Sequence, residues 1–202
     1  EYKEQNNLIP SYIMGLWLGD GSSDEFKIYG IDAEIHEEVR SFINSLGYSP
    51  RENVYSGVTR ISVATKKGVR SPANNELRSL GLIKNKHVHH AYKTDSIENR
   101  IALIQGMMDS DGTTGLDKKA SKERFSNSNK NLVEGFREVL ASLGVESTLR
   151  EGSKDRKGQY TVCFKPWFNP FKLSRKASIF TYPSSTKGRK YVRIQKVEKT
   201  EE

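Results

Sequence analysis

The sequence lacks the elements from which several classes of protein are built. Its single cysteine, Cys163, excludes an internal disulfide and a cysteine-based zinc site. No apolar run reaches the roughly 18 residues that a membrane-spanning helix needs. The chain starts at Glu1, and no signal-like apolar segment opens it. We therefore expect an intracellular protein with no membrane partner, or a segment cut from a longer chain.

Acidic residues are outnumbered, with 25 Asp and Glu against 33 Lys and Arg, for a net charge of +8. This balance favours an anionic partner, with nucleic acid the first candidate. A basic surface that simply faces solvent would have the same composition. The 202 residues suffice for one large domain or two small ones, each with a real core.

Two apolar segments end in the same dipeptide, Asp-Gly, at positions 20–21 and 111–112. Each segment predicts an apolar helix that carries an acid in its last turn and stops at a glycine. The C-terminus of a helix carries about half a negative charge, so a carboxylate there is disfavoured by roughly 0.3–1 kcal/mol. Because both helices carry this unfavourable charge at their C-terminal ends, the sequence predicts a cation between Asp20 and Asp111. Upstream of the second helix, residues 95–98 resemble a capping box and predict its start.

The segment after each Asp-Gly is also repeated. Asp32 stands where an N-cap belongs, and the helix behind it has one apolar face closed by Gly47. The same spacing recurs 97 residues later and is closed by Gly144; the paired positions are Ile35, Val39, Phe42, Ile43 and Leu46, then Leu132, Phe136, Val139, Leu140 and Leu143. Strand-like segments flank both helices. The sequence therefore predicts a duplicated, pseudo-twofold α/β (α+β) fold with subdomains at 1–94 and 95–202.

Small residues lie four apart in both apolar helices, as Gly15 and Gly19 in the first and Gly106 and Ser110 in the second. This spacing lets two helix backbones approach closely. A glycine inside a helix is otherwise unfavourable by about 0.5–1 kcal/mol relative to alanine. We therefore expect the two helices to pack against each other along these residues.

Parallel packing of the two helices brings Asp20 and Asp111 together at one end. Two carboxylates with the helix-terminal carbonyls beside them, at Gly19 and Ser110, suit a hard divalent cation, with Mg²⁺ the first candidate. Asp109 is two residues from Asp111 and is expected to point elsewhere.

Basic residues supply two further predictions. Lys86 lies 66 residues after Asp20 and Lys176 lies 65 after Asp111, which predicts one equivalent lysine in each half. Other basic residues alternate with strand-like segments, so a sheet face could bind phosphates and base edges of a DNA duplex; a solvated face is the alternative. The candidates for DNA binding are Lys27, Arg51, Arg60, Lys66, Lys67, Arg70, Arg150, Lys154, Arg156, Lys157 and Lys165.

The nonapeptides Ile13–Gly21 and Ile104–Gly112 resemble the motif of the LAGLIDADG homing endonucleases, which has glycine third, an acid eighth and glycine ninth. The similarity covers nearly the whole chain and is greatest to the endonuclease domains of inteins, whose lysine-bearing segments resemble Leu80–Lys86 and Phe171–Lys176. Leu18 replaces the usual sixth-position acid of the first motif.

This resemblance implies a monomeric αββαββα-type saddle with antiparallel DNA-binding sheets. It implies that Asp20 and Asp111 bind Mg²⁺, or Mn²⁺ as a substitute, and that Lys86 and Lys176 assist. The implied function is a metal-dependent double-strand break in a long specific DNA site. The alternative is a catalytically degenerate DNA-binding protein or an RNA-splicing maturase of the same fold. The ends lack splicing residues, so we expect no splicing activity.

Overall fold

The protein, examined as a computed structural model, is described over residues 2–114, 122–152 and 157–182. Lys154 and Arg156, two of the predicted DNA-binding residues, lie outside these ranges. The first half contains α1 (Ser11–Asp20), β1 (Lys27–Gly30), α2 (Ala33–Ser45), β2 (Pro50–Tyr55), β3 (Val58–Val63), α3 (Pro72–Ser79) and α4 (His90–Lys93). The second contains α5 (Ile97–Asp111), β4 (Gly112–Thr113), β5 (Glu123–Asn127), α6 (Lys130–Ser142), β6 (Ser147–Glu151), β7 (Tyr160–Phe164) and α7 (Ser174–Ala177).

The two apolar helices, α1 and α5, pack side by side at the centre of the molecule. A Cβ atom added to Gly106 would lie 2.1 Å from the carbonyl oxygen of Tyr12, and one added to Gly15 would lie 2.4 Å from that of Leu103. Only glycine allows this approach of two backbones. The structure therefore has the close helix packing that the small residues predict, and nearly all of α1 is buried.

Each half contributes one antiparallel sheet, with strand order β1-β3-β2 in the first half and β4-β5-β7-β6 in the second. The halves match residue by residue at the junction with the central helices. Gly21 pairs with Ile28 in the first half, and Gly112 pairs with Phe125 in the second. The two glycines are 91 residues apart and their two partners are 97 residues apart, which are the two offsets that the repeat predicts. The structure confirms the mixed α/β fold with antiparallel sheets.

The helices α2 and α6 cover the inner faces of the two sheets, because their apolar stripes pack on buried strand residues such as Ile61 and Val162. The opposite face of each sheet carries polar and basic side chains. The fold thus leaves two sheet faces available on the outer side of the core.

Each half also extends a segment onto the other half. Lys172, in the second half, forms an ion pair with Glu38 on α2 at 2.6 Å, and Arg175 forms one with Asp32, the N-cap residue of α2, at 2.7 Å. In the opposite direction, the carbonyl oxygen of Lys86 accepts a hydrogen bond from Asn129, the N-cap of α6, at 2.6 Å. The two halves are therefore interlocked around the central helix pair.

Two expected helix caps are wrong in detail. The hydroxyl that caps α5 belongs to Ser96, which accepts from the backbone of Asn99, while Asp95 is buried and binds the N-terminal segment at Gln5. Asp32 occupies the N-cap position of α2, but its carboxylate binds Arg175 instead of capping the helix. In both places a tertiary partner competes for the carboxylate that a sequence pattern assigns to the backbone.

None of the helices within the described ranges is both long and apolar enough to cross a membrane.

Candidate active site

Parallel packing of α1 and α5 brings their last residues, Asp20 and Asp111, to the same end of the molecule. The Oδ2 atom of Asp111 lies 3.6 Å from the position that a Cβ of Gly19 would take. Although Asp20 reaches solvent, reduced hydration raises its pKa, and the negative charge of Asp111 raises it further. Reduced hydration also raises the pKa of Asp111, against the opposing effect of a hydrogen bond from Asn127. The predicted juxtaposition of the two acids is thus present.

The glycine after each acid is required by space. A Cβ on Gly21 would lie 2.3 Å from the carbonyl oxygen of Trp17, and one on Gly112 would lie 2.5 Å from that of Met108. Both glycines have extended backbones, so the chain turns directly from the helix end into the sheet. The Asp-Gly dipeptide therefore joins the acid to the first strand pairing of its half.

Lys86 and Lys176 occupy equivalent positions. The Nζ of Lys86 donates to the carbonyl oxygens of Trp17, Leu18 and Gly21 at 2.7, 3.2 and 2.7 Å. The Nζ of Lys176 donates to those of Met108, Asp109 and Gly112 at 2.8, 2.7 and 2.9 Å. Each carbonyl in the second set lies 91 residues after its counterpart. The near-equal spacing of the two lysines in the sequence therefore corresponds to one shared geometry.

The lysines supply part of the positive charge that the helix ends require. Each ammonium group binds the last carbonyls of its own helix, where the helix dipole is negative. Burial lowers the pKa of Lys86 to about 8, although Asp111 and Asp20 act in the opposite direction. Burial also lowers the pKa of Lys176. Lys86 can therefore exchange a proton within two pH units of neutrality.

The remaining ligands suit a hard cation. Asp20 and Asp111 supply carboxylate oxygens, and the helix ends supply carbonyl oxygens such as that of Gly19, which lies 3.5 Å from Lys86 Nζ. The hydroxyl of Ser110 donates to its own helix at Gly106, so the oxygen of Ser110 considered as a ligand is its backbone carbonyl. No cluster of three or more His, Cys, Asp or Glu residues suited to a metal occurs in the described part of the chain. Mg²⁺ commonly binds one or two carboxylates and completes its shell with water and phosphate, so these residues fit it.

Asp109 points away from the two acids, as expected, and is buried. Its Oδ2 accepts from the hydroxyl of Tyr12 at 2.9 Å and from the backbone of Lys172 and Leu173 at 3.0 Å each. The carboxylate thus ties the segment that carries Lys176 to the central helices. Desolvation by burial raises the pKa of Asp109. The counterpart of Asp109 in the first motif is Leu18, so this anchor exists in one half only.

The outer face of the first sheet carries three of the predicted DNA-binding residues. Lys27 and Arg51 both lie opposite Ser62, and Arg60 is two residues away on the same face of β3. Arg60 donates to Asn53 at 2.7 Å. A cavity of about 400 Å³ is lined by these three residues together with Arg70 and Arg78. Lys66, Lys67 and Arg70 are exposed in the loop after β3.

The outer face of the second sheet is also polar. Arg150 lies opposite Thr161, which in turn lies opposite Ser126. Lys157 and Lys165 are exposed beside strand β7, and Lys157 lines a depression together with Asp111. Sequence reasoning missed Arg124, which points to this face opposite Cys163, although its place in an alternating strand was a usable signal. It also missed Asn127, whose amide reaches Asp111 at 2.8 Å.

Comparison with known proteins agrees with this architecture. The family model described as the LAGLIDADG-like domain matches residues 98–194. The second half of the chain therefore matches the model of the LAGLIDADG-like domain, and the chain has the fold of the LAGLIDADG homing endonucleases.

Individual relatives are more distant. The homing endonuclease I-DmoI in complex with DNA and Ca is 20% identical with a TM-score of 0.59, covering 86% of this chain and 97% of I-DmoI. The homing endonuclease I-WcaI bound to its DNA recognition sequence is 10% identical with a TM-score of 0.57, covering 90% of this chain and 89% of I-WcaI. The replicative DNA helicase DnaB of Mycobacterium intracellulare is 29% identical over 175 residues, which are 84% of this chain and 26% of the helicase. The chain thus spans about a quarter of the length of that curated relative.

Proposed function

We propose that the chain is a site-specific DNA endonuclease that makes a metal-dependent double-strand break in a long recognition site. The observation that carries the proposal is the paired helix end. Asp20 with Lys86 and Asp111 with Lys176 repeat one arrangement of acid, lysine and carbonyls at the junction of two basic sheet faces. Two such arrangements match the two strands of a duplex. The same fold occurs in I-DmoI and I-WcaI, both known in complex with DNA.

The residues of the site divide the chemistry between them. Divalent cations, Mg²⁺ or Mn²⁺, held by Asp20 and Asp111 would stabilise the charge that develops on the phosphate and leaving oxygens. I-DmoI is known in complex with DNA and Mn. Lys86, with its pKa near 8, can hold or release a proton beside the same phosphate. Lys176 offers a second ammonium group at the equivalent position for the other strand.

The sheet faces would hold the duplex. Lys66, Lys67 and Arg70 are exposed beyond the end of β3, where they can bind phosphates. Lys27, Arg51, Arg60, Arg150, Lys157 and Lys165 lie on or beside the outer faces, within reach of groove edges. Many phosphate contacts would make binding fall steeply as salt rises.

We further propose that the chain acts as a monomer, with subdomains 1–94 and 95–202 each serving one half-site. It would act inside the cell, where duplex DNA lies. The match to only 26% of a replicative helicase suggests an origin as an endonuclease domain within an intein. These assignments stand on the internal repeat and on that partial match.

The test is cleavage of duplexes selected from a randomised library, with the variants Asp20→Asn and Asp111→Asn. Each substitution removes a carboxylate charge and keeps the shape of the side chain. We expect double-strand cleavage to fall at least a hundredfold and DNA affinity to change less than threefold. Glu98→Gln, at an exposed acid in the first turn of α5 and at the opposite end of that helix from Asp111, is the matched control and should cut normally.

Cleavage by Asp111→Asn at the wild-type rate would show that the site is wrongly assigned. A wild-type protein that binds duplex DNA without cutting it would point to the degenerate DNA-binding alternative. Binding of intron RNA in place of DNA would point to a maturase.

A further inference from the structure

The two halves differ at one position beside their acids. In the first half Gly21 pairs with Ile28, and in the second Gly112 pairs with Phe125. Two residues beyond these partners, at the ends of β1 and β5, stand Gly30 and Asn127, which are 97 residues apart. The register of the strands therefore makes Gly30 and Asn127 structural counterparts, but only Asn127 has a side chain that can reach an acid.

The orientation of the Asn127 amide is fixed by its neighbours. Its Oδ1 accepts a hydrogen bond from the backbone N–H of Asn129 at 2.9 Å. The Nδ2 group must then be the one that faces Asp111, and it donates to Oδ2 of Asp111 at 2.8 Å. One oxygen of this carboxylate is thus held in place. The Oδ1 atom of Asp111 accepts no hydrogen bond from the described residues and remains available.

The same chain of hydrogen bonds continues to the other half. The side chain of Asn129 caps α6 through Leu132 and donates from Nδ2 to the carbonyl oxygen of Lys86 at 2.6 Å. Asp111 is therefore linked, through Asn127 and Asn129, to the segment that carries Lys86. This arrangement fixes an acid of one half relative to the lysine of the other.

The first half has no such chain. Gly30 offers only its carbonyl, which lies 3.1 Å from Nε2 of His36. The counterpart of Asn129 is Asp32, whose carboxylate binds Arg175 and cannot donate. Within the described residues, no side chain donates a hydrogen bond to Asp20. The two acids therefore occupy equivalent positions, but only Asp111 is held by a side-chain hydrogen bond from the described residues.

We propose that Asn127 is a positioning residue for Asp111, and that this one-sided support makes the protein cut the two DNA strands in a fixed order. This inference rests on the proposed function. The half-site whose acid is held in place needs less reordering before reaction, so cleavage that depends on Asp111 occurs first. The strand that depends on Asp20 follows, and a singly nicked duplex accumulates between the two steps.

The structure offers a reciprocal pair of variants. Asn127→Ala removes the donor. Gly30→Asn adds an amide at the counterpart position, where a Cβ would meet nothing closer than 3.8 Å, at His36 and Ile35. Asn7→Ala is the matched control, because it removes one Asn–Asp hydrogen bond, to Asp95 at 3.1 Å, at a distance from the site.

The experiment follows each strand of a selected duplex with a separate end label under single-turnover conditions. Wild type should cut one strand at least tenfold faster than the other. Asn127→Ala should slow that strand at least tenfold and the other less than threefold. Gly30→Asn should speed the slower strand, and Asn7→Ala should keep the wild-type order.

A second readout does not depend on turnover. Mn²⁺ binding to the complex with an uncleavable phosphorothioate duplex should weaken at least tenfold for one ion in Asn127→Ala and stay unchanged in Asn7→Ala. Thermal unfolding identifies any variant that merely loses stability.

Equal slowing of both strands by Asn127→Ala, with unchanged Mn²⁺ affinity, would reduce Asn127 to a structural role and overturn the inference. Wild-type cleavage of both strands at one rate would overturn it as well. Absence of any wild-type cleavage would instead count against the proposed function, so the two failures are distinguishable.

Discussion

Replacing Gly106 with alanine tests the close packing of the central helices. In an ordinary helix this change is stabilising by roughly 0.5–1 kcal/mol, because alanine restricts the unfolded chain and favours the helix. Here the added Cβ would lie 2.1 Å from the carbonyl oxygen of Tyr12 and 2.8 Å from the backbone nitrogen of Leu16. Both neighbours are main-chain atoms, so no side chain can rotate away. The helices must separate by about 1 Å to restore an ordinary contact.

The size of the effect follows from these opposing contributions. Overpacking a tight core costs about 1–3 kcal/mol, and a contact with rigid backbone belongs at the upper end. After the gain in helix propensity, we expect a net loss of about 2 kcal/mol. For a chain of this length that corresponds to a decrease in Tm of roughly 4–8 °C. Because the separation also moves Asp111 relative to Asp20, DNA cleavage should fall by a larger factor than DNA affinity.

Thermal and urea unfolding provide the assay. Gly135→Ala is the graded control, because its Cβ would meet a side chain, that of Val88, at 2.9 Å. It should destabilise less, since this approach to the Cβ of Val88 is looser than the 2.1 Å approach to the backbone that Gly106→Ala would create. A rise in Tm for Gly106→Ala, as in an isolated helix, would refute the close approach of the two backbones.

Two further predictions concern buried polar groups of the site. Between about pH 8 and 10.5 the unfolded chain holds a proton on Lys86 that the folded protein has lost, so this residue makes the unfolding free energy rise with pH. Urea titrations at several pH values should show a smaller rise for Lys86→Met than for wild type. An equal rise in the two proteins would contradict the lowered pKa. Tyr12→Phe removes one donor from the buried carboxylate of Asp109, so we expect a loss of about 2 kcal/mol in unfolding free energy by urea titration. An unchanged urea midpoint would show that this hydrogen bond contributes little.

The sequence is most informative where one physical constraint acts along a single element. Apolar spacing predicts α2 and α6 to within two residues, and the small residues at Gly15 and Gly106 predict the helix contact. The two Asp-Gly ends predict the location of the acids. Each of these features depends on neighbours within three or four residues, or on an internal repeat, and both are visible in one sequence.

Hydrogen bonds between side chains that are distant in the sequence cannot be predicted from such local patterns. Asn127 reaches Asp111 from 16 residues away, and Arg175 reaches Asp32 from 143 residues away. A carboxylate or amide can satisfy several partners, and only the packed fold decides which one is near. Asn127 could have been noticed as a mismatch in the repeat, opposite Gly30, but its direction could not have been inferred.

The crossing of segments between the halves has a consequence for protein engineering. In chimeric nucleases made by joining the first half of one protein to the second half of another, each lysine would keep the carbonyls of its own half, but each lysine-bearing segment would lose its contact with the other half. Arg175 would meet a foreign residue in place of Asp32, and Lys86 would lose the amide of Asn129. A functional exchange must therefore carry the crossing segments with the helix that receives them. The part of this fold that can be exchanged as a unit is a set of segments in contact with one another, and these segments are not continuous in the sequence.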